Sequence, residues 1–230
     1  VIVPAVLAAA EHRGLSGSDA VKGIAVGVEL MCRMSLVAPQ ATHKACFHPT
    51  AIFGAPAAAA GVAAALNLSP EKIVNAIGIA GSLASGIIEY LADGSSTKRL
   101  HAGQAAQSGI RAAFLAEGGF TGPATVIEGH HGFYKAFAPS KTPDFVPLLD
   151  GLGSRFVLET VAFKTYACGT MTQPFIDCAI ELARSGVKAD EIVSMVCEVG
   201  EGTVHRLWEP LKQKQRSEEH TSELQSRLHL

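Results

Sequence analysis

An apolar helix pattern ends within Ser85-Gly-Ile-Ile-Glu-Tyr-Leu-Ala-Asp-Gly-Ser-Ser-Thr-Lys-Arg-Leu-His-Ala102, where Gly94-Ser95-Ser96 makes a turn that presents Lys98. A turn of this kind can hold a cation at the mouth of a pocket. The helix that runs into it opens at Ser69-Pro70-Glu71: a hydroxyl able to cap, a proline at the first helical position, then an acid beside the positive end of the dipole. Along that helix Gly78, Gly81, Ser82, Ser85 and Gly86 recur at spacings of three and four, which puts them in a stripe on one face. Glycine in a helix interior costs about 1 kcal/mol relative to alanine. So many of them signal a packing demand; close approach of another backbone is the first expectation and a pocket wall the second.

Working outward, residues 54–66 read as an alanine-rich buried helix despite Pro56, and Ser18 as the cap of a helix running to about Met34. From 139 to 153 the character changes. Pro139, Pro143, Pro147, Gly151 and Gly153 interrupt any long helix, as in a crossover between domains. Beyond it, 155–163 and 191–199 have strand-like β-branched content, and Thr172-Gln173-Pro174 starts a helix to about Arg184. The fold class expected is mainly α, a large helical domain over 1–153 followed by the start of a smaller α+β, lid-like domain over 154–215. Residues 216–230 read as a sequencing-library adapter translated in frame, so no chemistry is assigned to His220 or His229. Val1-Ile2-Val3-Pro4 enters directly into a helix, and an upstream part is expected to be missing.

Composition excludes several classes of function. Of the 230 residues 48% are hydrophobic and 17% charged, enough for a sizeable core. A net charge of -2, with the basic residues scattered, gives no attraction to nucleic acid or to an anionic membrane surface. The apolar runs are broken by Asn67, Asn75 and Glu89 before they reach spanning length, so no membrane segment is expected. Cys32, Cys46, Cys168, Cys178 and Cys197 show no Cys-x-x-Cys spacing and read as reduced thiols, mostly buried, in a cytosolic-type (cytoplasmic) compartment. The adjacent pair His130-His131 lacks a third ligand at a suitable spacing, and no complete dinucleotide or P-loop pattern occurs. No metal and no cofactor are therefore expected.

His48-Pro49-Thr50, the Gly94-Ser95-Ser96-Thr97-Lys98 frame, Phe120-Thr121-Gly122-Pro123 and Glu128-Gly129 occur in that collinear order, densely over 47–137 and more loosely over 1–208. In this the chain resembles the MmgE/PrpD family, which includes 2-methylcitrate dehydratase and cis-aconitate decarboxylase. The resemblance implies a homodimeric, cofactor-independent lyase of small polycarboxylates. Its usual chain is about twice as long, and it carries an Asp- and His-bearing motif upstream of the part matched here.

Three residues carry the chemistry that the resemblance implies. His48 precedes a proline, which restricts its backbone to an extended conformation and fixes the direction of its imidazole; the family places an active-site histidine in this context. Lys98 matches an active-site lysine, and Lys164, in Phe163-Lys164-Thr165-Tyr166-Ala167-Cys168, a basic residue at the start of the second domain. The Cys168-Gly169-Thr170 that follows departs from the histidine-bearing family versions. His48 is assigned to proton transfer, Lys98 and Lys164 to carboxylate binding or charge stabilisation, and all three are expected in one cleft. His43 is expected at the surface, His101 to fix a turn or cap a helix, and Cys168 and Cys178 to be core thiols. The activity implied first is elimination of water, as in 2-methylcitrate dehydratase. Decarboxylation of cis-aconitate or epimerisation of an amino-dicarboxylate on the same scaffold is the nearer alternative, and a non-catalytic helical interaction protein the farther one.

Overall fold

The computed structural model describes residues 1–200; the tail at 216–230 and the end of the second expected domain lie outside the described residues. The chain forms ten α-helices there: α1 (Ile2–Arg13), α2 (Gly17–Val37), α3 (Ala41–Lys44), α4 (Pro49–Ala65), α5 (Pro70–Leu83), α6 (Tyr90–Asp93), α7 (Thr97–Glu117), α8 (Phe133–Phe137), α9 (Val146–Leu149) and α10 (Gln173–Arg184). The fold is mainly α, and among the described residues the only β pairing is an isolated antiparallel bridge between Phe47 and Ile87.

Two compact units divide the chain. The first comprises Val1–Ile88 and Thr97–Val161, the second Glu89–Ser96 and the chain from Ala162 onward. In the first, α4 is the axis. Every residue from Ala51 to Ala63 is buried, so the helix is apolar on all sides, and it is surrounded by α1, α2, α5 and α7. Alanine and glycine make this possible because they let neighbouring helix axes come close. A Cβ on Gly61 would stand 2.7 Å from the Gly23 carbonyl oxygen of α2. A second core joins the end of α2 to α4 and α8 through Met34, Val37, Ile52, Phe53 and Phe133, with the Tyr134 hydroxyl donating to the Met34 carbonyl at 2.6 Å.

The start signal at Ser69 works as read: its Oγ accepts from the Lys72 amide, and Pro70 is the first helical residue. The cap of α2 is Ser16 rather than Ser18. Its hydroxyl accepts from the Asp19 amide at 3.1 Å and thereby extends the helix by two residues at its start. The small-residue stripe on α5 is a packing face. A Cβ on Gly78 would lie 2.7–2.8 Å from backbone atoms of Gly122 and Pro123, and the Asn75 side chain accepts from the Gly122 amide at 3.2 Å. The Thr121-Gly122-Pro123 motif is therefore the partner of that face. The stripe also ends sooner than its sequence suggests, since α5 stops at Leu83 and Gly86 lies beyond it.

The expected strands do not form. Residues 155–163 contain a 3-10 turn at Val157–Thr160, because the amides of Val157 and Leu158, which a strand would offer to a neighbour, donate to the Glu29 carboxylate at 3.0 and 2.8 Å. Glu29 is ion-paired at 2.5 Å with Arg33, one turn on, and Arg33 is 1% exposed. The guanidinium donates to the carbonyls of Pro147, Leu148, Asp150 and Arg155, so one buried pair on α2 ties down the proline-rich segment after α8. Residues 192–199 have no strand partner among the described residues. Nor are the cysteines mostly buried: Cys46 and Cys178 are exposed, the other three intermediate. In the second unit, α10 begins and ends as expected, and Gln173 beside its start donates to the Tyr166 carbonyl at 2.9 Å and to the Cys168 sulfur at 3.1 Å.

Candidate active site

Pro49 opens α4, so His48 is its N-cap residue and takes an extended backbone (φ -81°, ψ 110°), the conformation that a following proline enforces. The segment before it is held by short pairing with the chain after α5. The His48 amide donates to the Gly86 carbonyl at 2.9 Å and the Ile88 amide to the Cys46 carbonyl at 3.0 Å, either side of the Phe47–Ile87 bridge. Gly86 cannot be replaced cheaply. Its φ of 128° is one that side chains rarely adopt, and a Cβ there would stand 2.8 Å from the Ala51 Cβ and 3.3 Å from the His101 ring.

His101 is neither a cap nor a turn residue. It lies in the second turn of α7, 8% exposed, and its Nδ1 stands 3.1 Å from the Nδ1 of His48. Burial, then the neighbouring charges of His101, Lys98 and His43, push the His48 imidazole down to about 4 from its ordinary 6.5. Burial lowers His101 as well. Both rings are therefore neutral at pH 7, and two neutral imidazoles facing each other through Nδ1 hold one proton between those nitrogens. His43 is half-buried and part of this environment rather than a surface residue.

Lys98 belongs to the first turn of α7 instead of following a helix, and is half-buried. Its charge reaches His48, so the first unit brings these two of the three expected residues into electrostatic contact. A cation in a first turn opposes the helix dipole, which favours anions there. Lys164 is in the second unit, exposed, in a segment without regular structure. Two surface grooves of about 480 and 770 Å³ lie along residues 123–145, lined among others by Tyr134 and Lys141 or by Gly81 and Phe137. Neither is lined by His48, Lys98 or His101. The His130 and His131 rings meet edge to face at 4.7 Å in a turn, where the divergence of neighbouring side chains on a helix or strand does not apply. Among the described residues no group of three His, Cys, Asp or Glu could hold a metal ion, and no helix is long and apolar enough to cross a membrane.

The depressed His48 pKa has a consequence for stability. Between about pH 4 and 6.5 the unfolded chain binds a proton at this position that the folded protein excludes. The contribution is complete above pH 6.5 and is lost as the pH falls towards 4. Unfolding free energy is expected to drop by about 2 kcal/mol between pH 7 and pH 5 on this account. Urea titrations of wild type and His48→Gln at the two pH values measure it; equal slopes with pH in both proteins would refute the burial of a neutral imidazole.

The chain is 32% identical over 185 residues to cis-aconitate decarboxylase from Aspergillus terreus, an alignment covering 73% of this chain and 36% of the relative. The human enzyme of the same name is 32% identical over 170 residues, covering 74% of this chain and 35% of the relative. The mouse enzyme is 33% identical over 165 residues, covering 71% and 33%. The chain thus spans about a third of the length of these curated relatives. Residues 1–146, which include His48, Lys98 and His101, match the model of the MmgE/PrpD N-terminal domain, and the chain belongs to the MmgE/PrpD family.

Proposed function

We propose that this chain provides the helical part of a lyase acting on small polycarboxylates, with His48 moving a proton at a substrate carbon and Lys98 and Lys164 meeting carboxylates. The observation that carries the reading is a half-buried His48 whose Nδ1 stands 3.1 Å from that of His101 on α7, the helix that also brings the Lys98 charge to it. A lysine ammonium is a point charge with three donors, suited to a carboxylate. Cleavage of a bond next to a carboxylate leaves an electron pair on carbon. Cations in a partly dry site stabilise that charge far better than water does. Carboxylates arriving beside His48 favour its protonated form, so a ring that burial keeps neutral becomes able to donate.

Decarboxylation of a cis-aconitate-like substrate is the favoured reaction, because the relatives quoted above carry that name. Dehydration of a hydroxy-tricarboxylate such as 2-methylcitrate uses the same two demands, a proton moved at carbon and a stabilised anion, and is the reaction to be separated from it. The family resemblance further implies a homodimer. A protein carrying this chain at the relatives' full length, given cis-aconitate and 2-methylcitrate in turn, is expected to release carbon dioxide from the first. Loss of water from the second without carbon dioxide from the first would make it a dehydratase. Inertness towards both would sink the lyase reading.

A further inference from the structure

We infer that Gln173 is a positioning residue for Lys164: its side-chain amide binds the Tyr166 backbone as a neighbouring strand would, and so fixes the course of the segment that carries the lysine. The use of Lys164 rests on the function proposed above, whereas the grip on its segment is read from the hydrogen bonds alone.

From Val161 to Thr165 every residue is exposed, so burial does not set the path of this stretch. The chain is gripped at Tyr166. Its amide donates to the Gln173 Oε1 at 3.1 Å, and its carbonyl accepts from the Gln173 Nε2 at 2.9 Å. A backbone amide can only donate and a carbonyl can only accept, so the pair itself fixes which way the Gln173 amide is turned. Exchange of two bonds with a single residue is what a hydrogen-bonded pair does in an antiparallel ladder. Here one side chain supplies it, and no strand is needed beside the segment. The second hydrogen of Nε2 goes to the Cys168 sulfur at 3.1 Å, and the Cys168 amide donates to the same Tyr166 carbonyl at 2.8 Å. Both donors of the Gln173 amide and its acceptor are thereby in use.

Asp177, one turn further along α10 and on the same face, accepts the Tyr166 hydroxyl at 2.6 Å. That bond pushes the phenol pKa up, since loss of its proton would set two negative charges side by side. One helix face therefore holds Tyr166 by its backbone and by its side chain. The hydroxyl bond is exposed to water and the amide pair is half-buried, so the larger part of the grip falls to Gln173. Lys164 leaves the chain two residues before this fixed point. A lysine on a wandering segment has to be ordered by the anion it meets, whereas one on a pinned segment does not, so the clasp acts on affinity before it acts on the chemical step.

Amide exchange and 15N relaxation of the chain, in wild type, Gln173→Ala and Gln173→Glu, test the inference. In wild type the Tyr166 amide is expected to exchange about tenfold more slowly than the amides of 163–165, the equivalent of one ordinary hydrogen bond, and the order parameter at Lys164 to exceed about 0.8. In Gln173→Ala the protection is expected to vanish and the order parameter at Lys164 to fall below about 0.6. Gln173→Glu keeps an acceptor for the Tyr166 amide and loses both donors, so its values are expected to lie between. A Tyr166 amide that exchanges freely in wild type, or a Lys164 as ordered in the variants as in wild type, would overturn the inference. Wild type and Gln173→Glu decide it should Gln173→Ala fail to fold. In a protein of the relatives' full length, Lys164→Met and Gln173→Ala are expected to raise KM for cis-aconitate about tenfold and about fivefold with kcat nearly unchanged, and the double variant to be no worse than Lys164→Met. Additive losses would make Gln173 a structural residue only and overturn the inference while Lys164 keeps its role. An unchanged KM in Lys164→Met, or an inert full-length protein, would count against the lyase reading, and the relaxation data, into which no substrate enters, would still decide the clasp.

Discussion

Replacing Lys98 by methionine in a full-length protein is expected to lower turnover on a polycarboxylate roughly a hundredfold, far more than it lowers stability. The two effects have separate causes. A cation facing charge that develops only in the transition state is worth about 3 kcal/mol in a partly dry site, which is the hundredfold in rate. Its interaction with the dipole of the helix it starts is unfavourable. In the first turn of α7 it opposes the dipole, at a cost of about 0.3–1 kcal/mol when exposed. Methionine keeps the length and apolar stem and removes only the charge. Steady-state kinetics beside a thermal melt read both quantities, and unchanged turnover would take Lys98 out of the mechanism. An equal fall in activity and in stability would make it a structural residue.

The largest effect on folding is expected at Arg33, far from the proposed chemistry. Arg33→Met should cost about 3–5 kcal/mol, because Glu29 then stays buried without its cation and the carbonyls of Pro147, Leu148, Asp150 and Arg155 lose their donor. Burial by itself would raise the Glu29 pKa. The amides of Leu158 and Val157 and the Arg33 guanidinium outweigh it and hold the group below its ordinary value, as a charged carboxylate. The double variant Glu29→Leu with Arg33→Met should recover a large part of the loss, since an apolar pair of similar volume needs no partner for a charge. Urea midpoints of the three proteins decide it. A loss under 1 kcal/mol in Arg33→Met would mean that the segment after α8 holds itself in place.

Much of the helical body was legible from local chemistry. Ser69 and Pro70 start α5 because a hydroxyl and a proline meet the needs of a helix's first turn whatever surrounds them. The run of alanines in α4 could be nothing but core, since it has no polar face to offer water. Lys98 was found by its Gly-Ser-Ser-Thr frame yet placed after a helix instead of at the start of one. The hydroxyls of Ser95, Ser96 and Thr97 before a long run without proline were the local signal for that start. The β-branched residues of 155–163 misled in the opposite way. Their strand propensity expresses packing against a partner strand, and here a carboxylate on α2 takes the amides first.

What the sequence by itself determined is the set of elements and the residue types able to do the chemistry: caps, prolines and apolar periodicity act within a few residues, and a histidine before a proline is oriented by its own backbone. Only the tertiary structure decided what those residues meet. His101 reads in the sequence as a residue that fixes a turn or caps a helix, three positions after Lys98, and becomes the partner of His48 because α4 and α7 pack side by side. Glu29 and Arg33 stand one turn apart on α2, a spacing at which pairs usually face water, and are buried because the chain after α8 folds over them. The shift of His48 to about 4 has the same origin. It comes from burial and from charges supplied by other helices, and no pattern along the chain carries the distance between helices.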